Sequence, residues 1–132
     1  MVIGVGVDIV EIRRISQALT GSQSMAKRVF TEKEIEYCGA RKTQFHHYAG
    51  RFAAKEAALK ALGTGWQGGI RWTDVEVVSN NSGKPEINLY GKARELFEKS
   101  GANRALLSIT HSKEYAVAVV VLEGDAADKL TG

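Results

Sequence analysis

Arg51-Phe52-Ala53-Ala54-Lys55-Glu56-Ala57-Ala58-Leu59-Lys60-Ala61-Leu62 is the segment around which the rest of the chain arranges itself, and Gly63 follows it. It is rich in alanine, free of glycine and proline, and closed by a residue that tolerates the left-handed conformation of a helix end, so it reads as a helix over 51–62. At about 100° per residue, Phe52, Leu59 and Leu62 define a bulky apolar arc. Glu56 lies roughly 40° beyond Phe52 on that wheel, Lys60 continues the same rim, and Lys55 falls inside the arc. Charges at the edge of a face that should be buried lose solvation unless they are paired or hold a ligand. Two readings stand at this point: a structural Glu56–Lys60 pair at i,i+4, or a site.

On the N-terminal side, Ile3, Val5, Val7 and Ile9 alternate with Gly4, Gly6 and Asp8, a period of two that makes Val2 to Ile9 a strand with one face bare until Asp8. Another backbone or a ligand can approach that bare face closely. Past Asp8 the period lengthens to that of a helix through Ile12, Ile15 and Leu19, with Gly21 as its stop. Thr31-Glu32-Lys33-Glu34 is a T-x-x-E capping box, so a short helix should run to about Cys38. C-terminal to the central helix, Asp74 to Val78 and Glu86 to Tyr90 flank the turn-rich Asn80-Asn81-Ser82-Gly83-Lys84-Pro85 and read as a hairpin. Lys92 to Lys99 reads as a helix closed by Ser100-Gly101. Ala105 to His111 and Tyr115 to Leu122 read as a second hairpin whose last strand, apolar on both faces, should be central or at an interface. The tail from Gly124 is expected to fray. Strand, helices, hairpin, helix, hairpin is the order of an α+β domain with an antiparallel sheet, and residues 1–132 read as a single domain without repeats or linkers.

With 44% hydrophobic and 25% charged residues, the 132-residue chain has the composition of a globular protein, which excludes disorder as its main state. Its length suffices for a core without disulfides or structural metal, and the lone Cys38 has no internal partner. The absence of an apolar run of about 18 residues or of a secretory leader leads us to expect a cytoplasmic protein with no membrane segment. The excess of 18 basic over 15 acidic residues, a net charge of +3, is compatible with an acidic partner. However, the positive charges are scattered and aromatics are only 8%, so nucleic acid is not expected as a partner.

Asp8 closes a strand on its glycine face. Asp and Glu on separate elements suit a hard divalent cation that completes its shell with water and phosphate oxygens. The alternative is that Asp8 caps the following helix. Gly63-Thr64-Gly65-Trp66-Gln67-Gly68 matches G-x-G-x-x-G but follows a helix, which removes the dinucleotide-fold reading and leaves either a turn whose amides and Thr64 hydroxyl meet phosphate or a plain helix cap. His111 shares its side of the strand with Leu107 and Ile109 and points into the core or to a cleft edge. His46 and His47 are adjacent and are expected in solvent. Cys38 lies in no nucleophile motif, and no Ser, His and acid spacing suggests one. Arg13 and Arg14 point away from the Ile12, Ile15, Leu19 stripe; with Lys27 and Arg28 they either recognise an acidic partner or only solvate the surface.

Three stretches together resemble one family: Gly4-Val5-Gly6-Val7-Asp8-Ile9-Val10-Glu11-Ile12, the segment from Arg51 to Gly65, and Ser108-Ile109-Thr110-His111-Ser112-Lys113-Glu114-Tyr115-Ala116. The family is holo-[acyl-carrier-protein] synthase, the small trimeric class of 4′-phosphopantetheinyl transferases, and the resemblance runs from Val2 to about Glu123. It implies the 4′-phosphopantetheinyl transferase fold, with active sites in clefts between the chains of a homotrimer. The implied reaction moves the phosphopantetheine arm of coenzyme A to a serine of acyl carrier protein and leaves adenosine 3′,5′-bisphosphate. The resemblance further implies that Asp8 and Glu56 hold Mg²⁺, that Lys60 stabilises the phosphates, and that Gly63, Thr64 and Gly65 border the nucleotide. Arg51 and His111 become contacts to coenzyme A, and Arg14 with Arg28 the docking site for the acidic carrier. The serine proton would pass to Glu56 or to a metal-bound water. Apart from the resemblance, a non-catalytic basic module binding nucleic acid or another phosphorylated ligand is the competing expectation.

Overall fold

The computed structural model describes residues 1–66 and 68–125. Strand β1 (Val2–Glu11) leads into helices α1 (Ile12–Gly21), α2 (Gln23–Val29), α3 (Glu32–Gly39) and α4 (Gln44–Leu62). A 3₁₀ turn, Trp72–Asp74, then enters the hairpin β2 (Val75–Ser79) and β3 (Pro85–Leu89). Helix α5 (Gly91–Lys99) and the hairpin β4 (Ala102–His111) and β5 (Tyr115–Gly124) complete the described elements. All pairing is antiparallel: β5 lies between β1 and β4, and β2 pairs with β3. The α+β expectation and the central place of the apolar last strand are both met.

Helix α4 lies across the inner face of the three-stranded sheet. Ala53, Ala57, Ala58 and Leu59 pack there with Leu107, Ala118, Val120 and Leu122, and with Val75 and Val77 of β2. Small side chains on the helix let it sit deep, and the glycine face of β1 takes this furthest. A β-carbon on Gly4 would strike the carbonyl of Ala61, and one on Gly6 the carbonyl of Ala57. A second cluster, in which Ile12, Ile15, Val29, Phe30, Tyr48 and Ala116 are buried, fastens α1–α3 to the N-terminal half of α4.

Several boundaries differ from the sequence expectation, each for a local reason. β1 runs on to Glu11 because its pairing with β5 continues to Tyr115. Asp8, opposite Ala118 in mid-strand, therefore does not cap α1. Helix α4 begins seven residues before Arg51; its first turns lack a side-chain cap and include poor helix formers, but Tyr48, Ala49 and Gly50 are buried there. α2 is unanticipated: Ser22 stands at its N-cap, but its side chain makes no capping hydrogen bond. The box at Thr31 forms as expected, with Glu34 N–H donating to Thr31 Oγ1 and Thr31 N–H to Glu34 Oε1. Gly63 ends α4 at φ 78°, the left-handed turn its identity suggested. Gly124 still belongs to β5, donating its N–H to Met1, so the expected fraying does not begin there; 126–132 lie outside the described residues.

Candidate active site

The approach of β1 to α4 brings Asp8 to Lys60. Lys60 Nζ donates to Asp8 Oδ1 at 3.1 Å and to the Val7 carbonyl at 3.1 Å. The lysine side chain is 54% exposed and the aspartate 18%, so the ammonium reaches solvent while the carboxylate is largely covered. Glu56, one turn before Lys60, takes a different partner: Trp66 Nε1–H donates to its Oε1 at 3.2 Å. The structural Glu56–Lys60 pair is therefore absent among the described residues, and the rim of α4 carries two carboxylates of separate origin with one ammonium group. Glu56 Oε2 accepts no hydrogen bond from the described residues.

Lys55, inside the apolar arc, is fully buried and paired with Glu34 Oε1 at 2.8 Å. Its ammonium also donates to the carbonyls of Trp72 and Val75, while Glu34 Oε2 accepts the Val77 N–H at 2.8 Å. Burial pulls the Lys55 pKa down, and the Glu34 carboxylate opposes that shift. The pair joins α3, α4 and β2 beneath the rim.

Arg51 lies elsewhere on the same helix. Its guanidinium is buried over the Tyr37 ring, 4.0 Å from the centroid, with Nη2 3.4 Å from Ser79 Oγ and Nε unpartnered. Arg41 packs against the same ring at 3.4 Å. The Ser79 hydrogen bond, opposed by burial and helped by the two guanidinium charges, lowers the Tyr37 pKa. A cleft of about 640 Å³ opens here between α3 and the tip of the β2–β3 hairpin, lined by Tyr37, Arg41, Ser79 and Asn80. Five residues at about 100° each place Arg51 about 140° around the helix from Glu56. The site residues named from sequence thus fall into two groups on opposite flanks of α4.

His111 lies at the exposed end of β4, its ring edge-on to His46 with centroids 5.1 Å apart. It is exposed and does not enter the core. His46 and His47 are not solvent-bathed as expected: both are half-buried, His47 against Tyr37, and burial followed by the charges of Arg51 and Arg41 lowers its pKa. Thr64 Oγ1 bonds the Gly65 carbonyl, and Gly63 and Thr64 line a cleft of about 450 Å³ together with Lys92. Arg14 and Arg28 are exposed on α1 and α2. Cys38 is buried, and burial pushes its thiol up to about 12, as expected of an inert side chain. Sequence reasoning missed Trp66, Trp72, Tyr37 and Arg41. Tyr37 and Arg41, at i,i+4, were the only visible signal.

Among the described residues, no group of three or more His, Cys, Asp and Glu forms a ready metal cage. Two carboxylates reaching one rim still match what a hard cation asks of a protein when water and phosphate supply its remaining oxygens. Fold and site define a small α+β protein with two carboxylates and one ammonium group where β1 crosses α4, an arrangement suited to phosphate-bearing ligands. Residues 4–120 match the model of the 4′-phosphopantetheinyl transferase superfamily, and the chain belongs to that family. It is 52% identical over 124 residues to the holo-[acyl-carrier-protein] synthase of Geobacter sp. (strain M21), covering 93% of this chain and 99% of the relative. The crystal structure of holo-[acyl-carrier-protein] synthase from Neisseria meningitidis is similar with a TM-score of 0.83 at 34% identity, over 93% of this chain and 99% of that one. A holo-(acyl-carrier-protein) synthase from Bacillus anthracis, solved in complex with CoA (3′,5′-ADP), matches with a TM-score of 0.78 at 38% identity, over 95% and 99%.

Proposed function

We propose that this chain is a holo-[acyl-carrier-protein] synthase: it transfers the 4′-phosphopantetheine group of coenzyme A to a serine of acyl carrier protein and releases adenosine 3′,5′-bisphosphate. The near full-length likeness to relatives of that name carries the reading. In the reaction the serine oxygen, giving up its proton to Glu56 or to water, bonds to the phosphorus that bears the pantetheine arm, and the bond from that phosphorus to the bisphosphate breaks. Asp8 and Glu56 would hold Mg²⁺, their carboxylate oxygens being the donors such an ion prefers. When bound, the ion neutralises charge on the phosphates as the P–O bond breaks.

Lys60 pairs with the Asp8 carboxylate, and in this scheme its ammonium would meet the phosphate oxygens. Glu56 and Lys60 are the catalytic residues of this scheme. Gly63, Thr64 and Gly65 border the nucleotide, with Lys92 on the same cleft. Arg51, with Arg41 across the Tyr37 ring, supplies positive charge for the anionic nucleotide end of coenzyme A. His111 lines the approach of the arm. Because Arg51 and Glu56 lie on opposite flanks of α4, one substrate reaches both kinds of residue most directly across two chains, which favours sites between the subunits of a homotrimer. The outer sheet face supports this assembly: Val5, Val7 and Ile9 are 59%, 53% and 62% exposed beside Val117, Val119 and Val121. Arg14 and Arg28 would dock the acidic carrier. No helix among the described residues is long and apolar enough to cross a membrane, in keeping with work in the cytoplasm.

The test is the intact mass of apo acyl carrier protein incubated with this protein, coenzyme A and Mg²⁺. A gain of one phosphopantetheine group that disappears with chelator, and with Asp8→Ala or Glu56→Ala, is expected. Full activity in either variant removes that residue from the site.

A further inference from the structure

Glu56 is held by an arrangement that the reaction itself does not account for. Trp66, four residues beyond the end of α4, folds back so that its indole N–H reaches Glu56 Oε1 at 3.2 Å. Its ring lies against Trp72, with centroids 3.7 Å apart, and Trp72 stacks on Phe52 at 5.0 Å and 23°. The backbone of Trp72 is fixed in turn, because its carbonyl accepts from Lys55 Nζ at 3.1 Å and that ammonium is locked to Glu34. A continuous path therefore runs from the buried ion pair through two indoles in contact to one carboxylate oxygen on the rim.

We propose that Trp66 is a positioning residue for Glu56: its indole N–H fixes the carboxylate so that Oε2 is presented to the divalent cation. The chemistry of the donor suits the task. An indole N–H donates only, so Trp66 neither competes for the cation nor takes up a proton. Left alone, a long glutamate side chain samples many rotamers and loses that freedom when it ligates an ion; here the donor has already selected one. Partners that orient a ligating group from outside its coordination shell change metal affinity or activity by about 10–100-fold when removed. The inference rests on the assignment of Asp8 and Glu56 as cation ligands. It adds a role for Trp66, which the packing of Trp72 and Phe52 does not by itself require.

Trp66→Phe separates the two roles, since it removes the N–H donor while a smaller aromatic ring still packs against Trp72, and the melting temperature reports any packing loss. Binding of Mn²⁺ is followed by electron paramagnetic resonance on the full chain with coenzyme A at a fixed concentration, comparing wild type, Glu56→Gln and Trp66→Phe. A loss of affinity in Trp66→Phe of roughly tenfold or more, with an unchanged melting temperature, is expected. Wild-type affinity in Trp66→Phe, while Glu56→Gln loses the ion, overturns the role of Trp66 and leaves the ligand assignment standing. A wild-type protein that binds no Mn²⁺ overturns both. Should Trp66→Phe fail to fold, ¹⁵N spectra of the unaltered chain decide, because its two tryptophans give two indole N–H resonances. Saturation with Mg²⁺ should move one of them, and Glu56→Gln should abolish that movement. Two resonances unmoved at saturation refute the proposal.

Discussion

At the scale of single residues, buried polar groups define what the fold tolerates. Glu34 caps its own helix with one oxygen and binds the Val77 N–H with the other, so with Lys55 in place its carboxylate is fully satisfied in a dry interior. Lys55→Met would leave that carboxylate buried without its counter-ion, and urea denaturation should show a loss of about 3–5 kcal/mol. Cys38 supplies a pH-dependent counterpart. An unfolded chain sheds this thiol proton near pH 8.5, as a rough model value, whereas burial holds the folded thiol to about 12. Between those values the native state binds more protons than the unfolded one, so stability falls as pH rises, by up to about 1.4 kcal/mol per unit. Stability measured at pH 8, 9 and 10 should fall less steeply for Cys38→Ala than for wild type. Parallel slopes would mean that the thiol ionises normally.

Between elements, the decisive contact is the crossing of β1 on α4. It needs no special backbone angle at Gly6, only the absence of a β-carbon facing the Ala57 carbonyl. The obstacle is helix backbone and cannot rotate away. Gly6→Ala should therefore cost about 1–3 kcal/mol, toward the upper end. Because the same crossing sets Asp8 against Lys60, the variant should also lose transfer activity under conditions where it remains folded by circular dichroism. Unimpaired activity would separate the crossing from the site.

For the whole molecule, the outer sheet face and the two-sided distribution of site residues lead to one expectation. Val119→Lys, in the middle of the central strand with Val7 and Ser108 as neighbours, should break the proposed three-chain assembly into single chains in sedimentation velocity. Transfer activity should disappear with it while the circular dichroism spectrum persists. A variant that retains the three-chain mass would place the interface elsewhere. Charge acts over longer distances. Arg14→Glu should raise KM for the carrier with little change in kcat, and should flatten the salt dependence of association, since exposed rim charges act mainly on encounter.

What the sequence determined by itself was local: the alternation of β1 with its bare face, the capping box at Thr31, the core of α4 with its stop at Gly63, and both hairpins. Each depends on periodicity or turn chemistry within a few residues. Asp8, Glu56 and Lys60 stood out on the same terms, as charges on faces that ought to be buried. Only the tertiary structure decided their partners. The helix wheel offered Glu56 to Lys60, yet Lys60 turned to Asp8, 52 residues away, and Glu56 to an indole beyond the helix end. The buried Tyr48, Ala49 and Gly50 extended α4 through residues of poor helix propensity. Side-chain spacing fixes which groups share a face. Which groups meet across that face depends on how closely two backbones approach, and here two missing β-carbons in β1 set that distance.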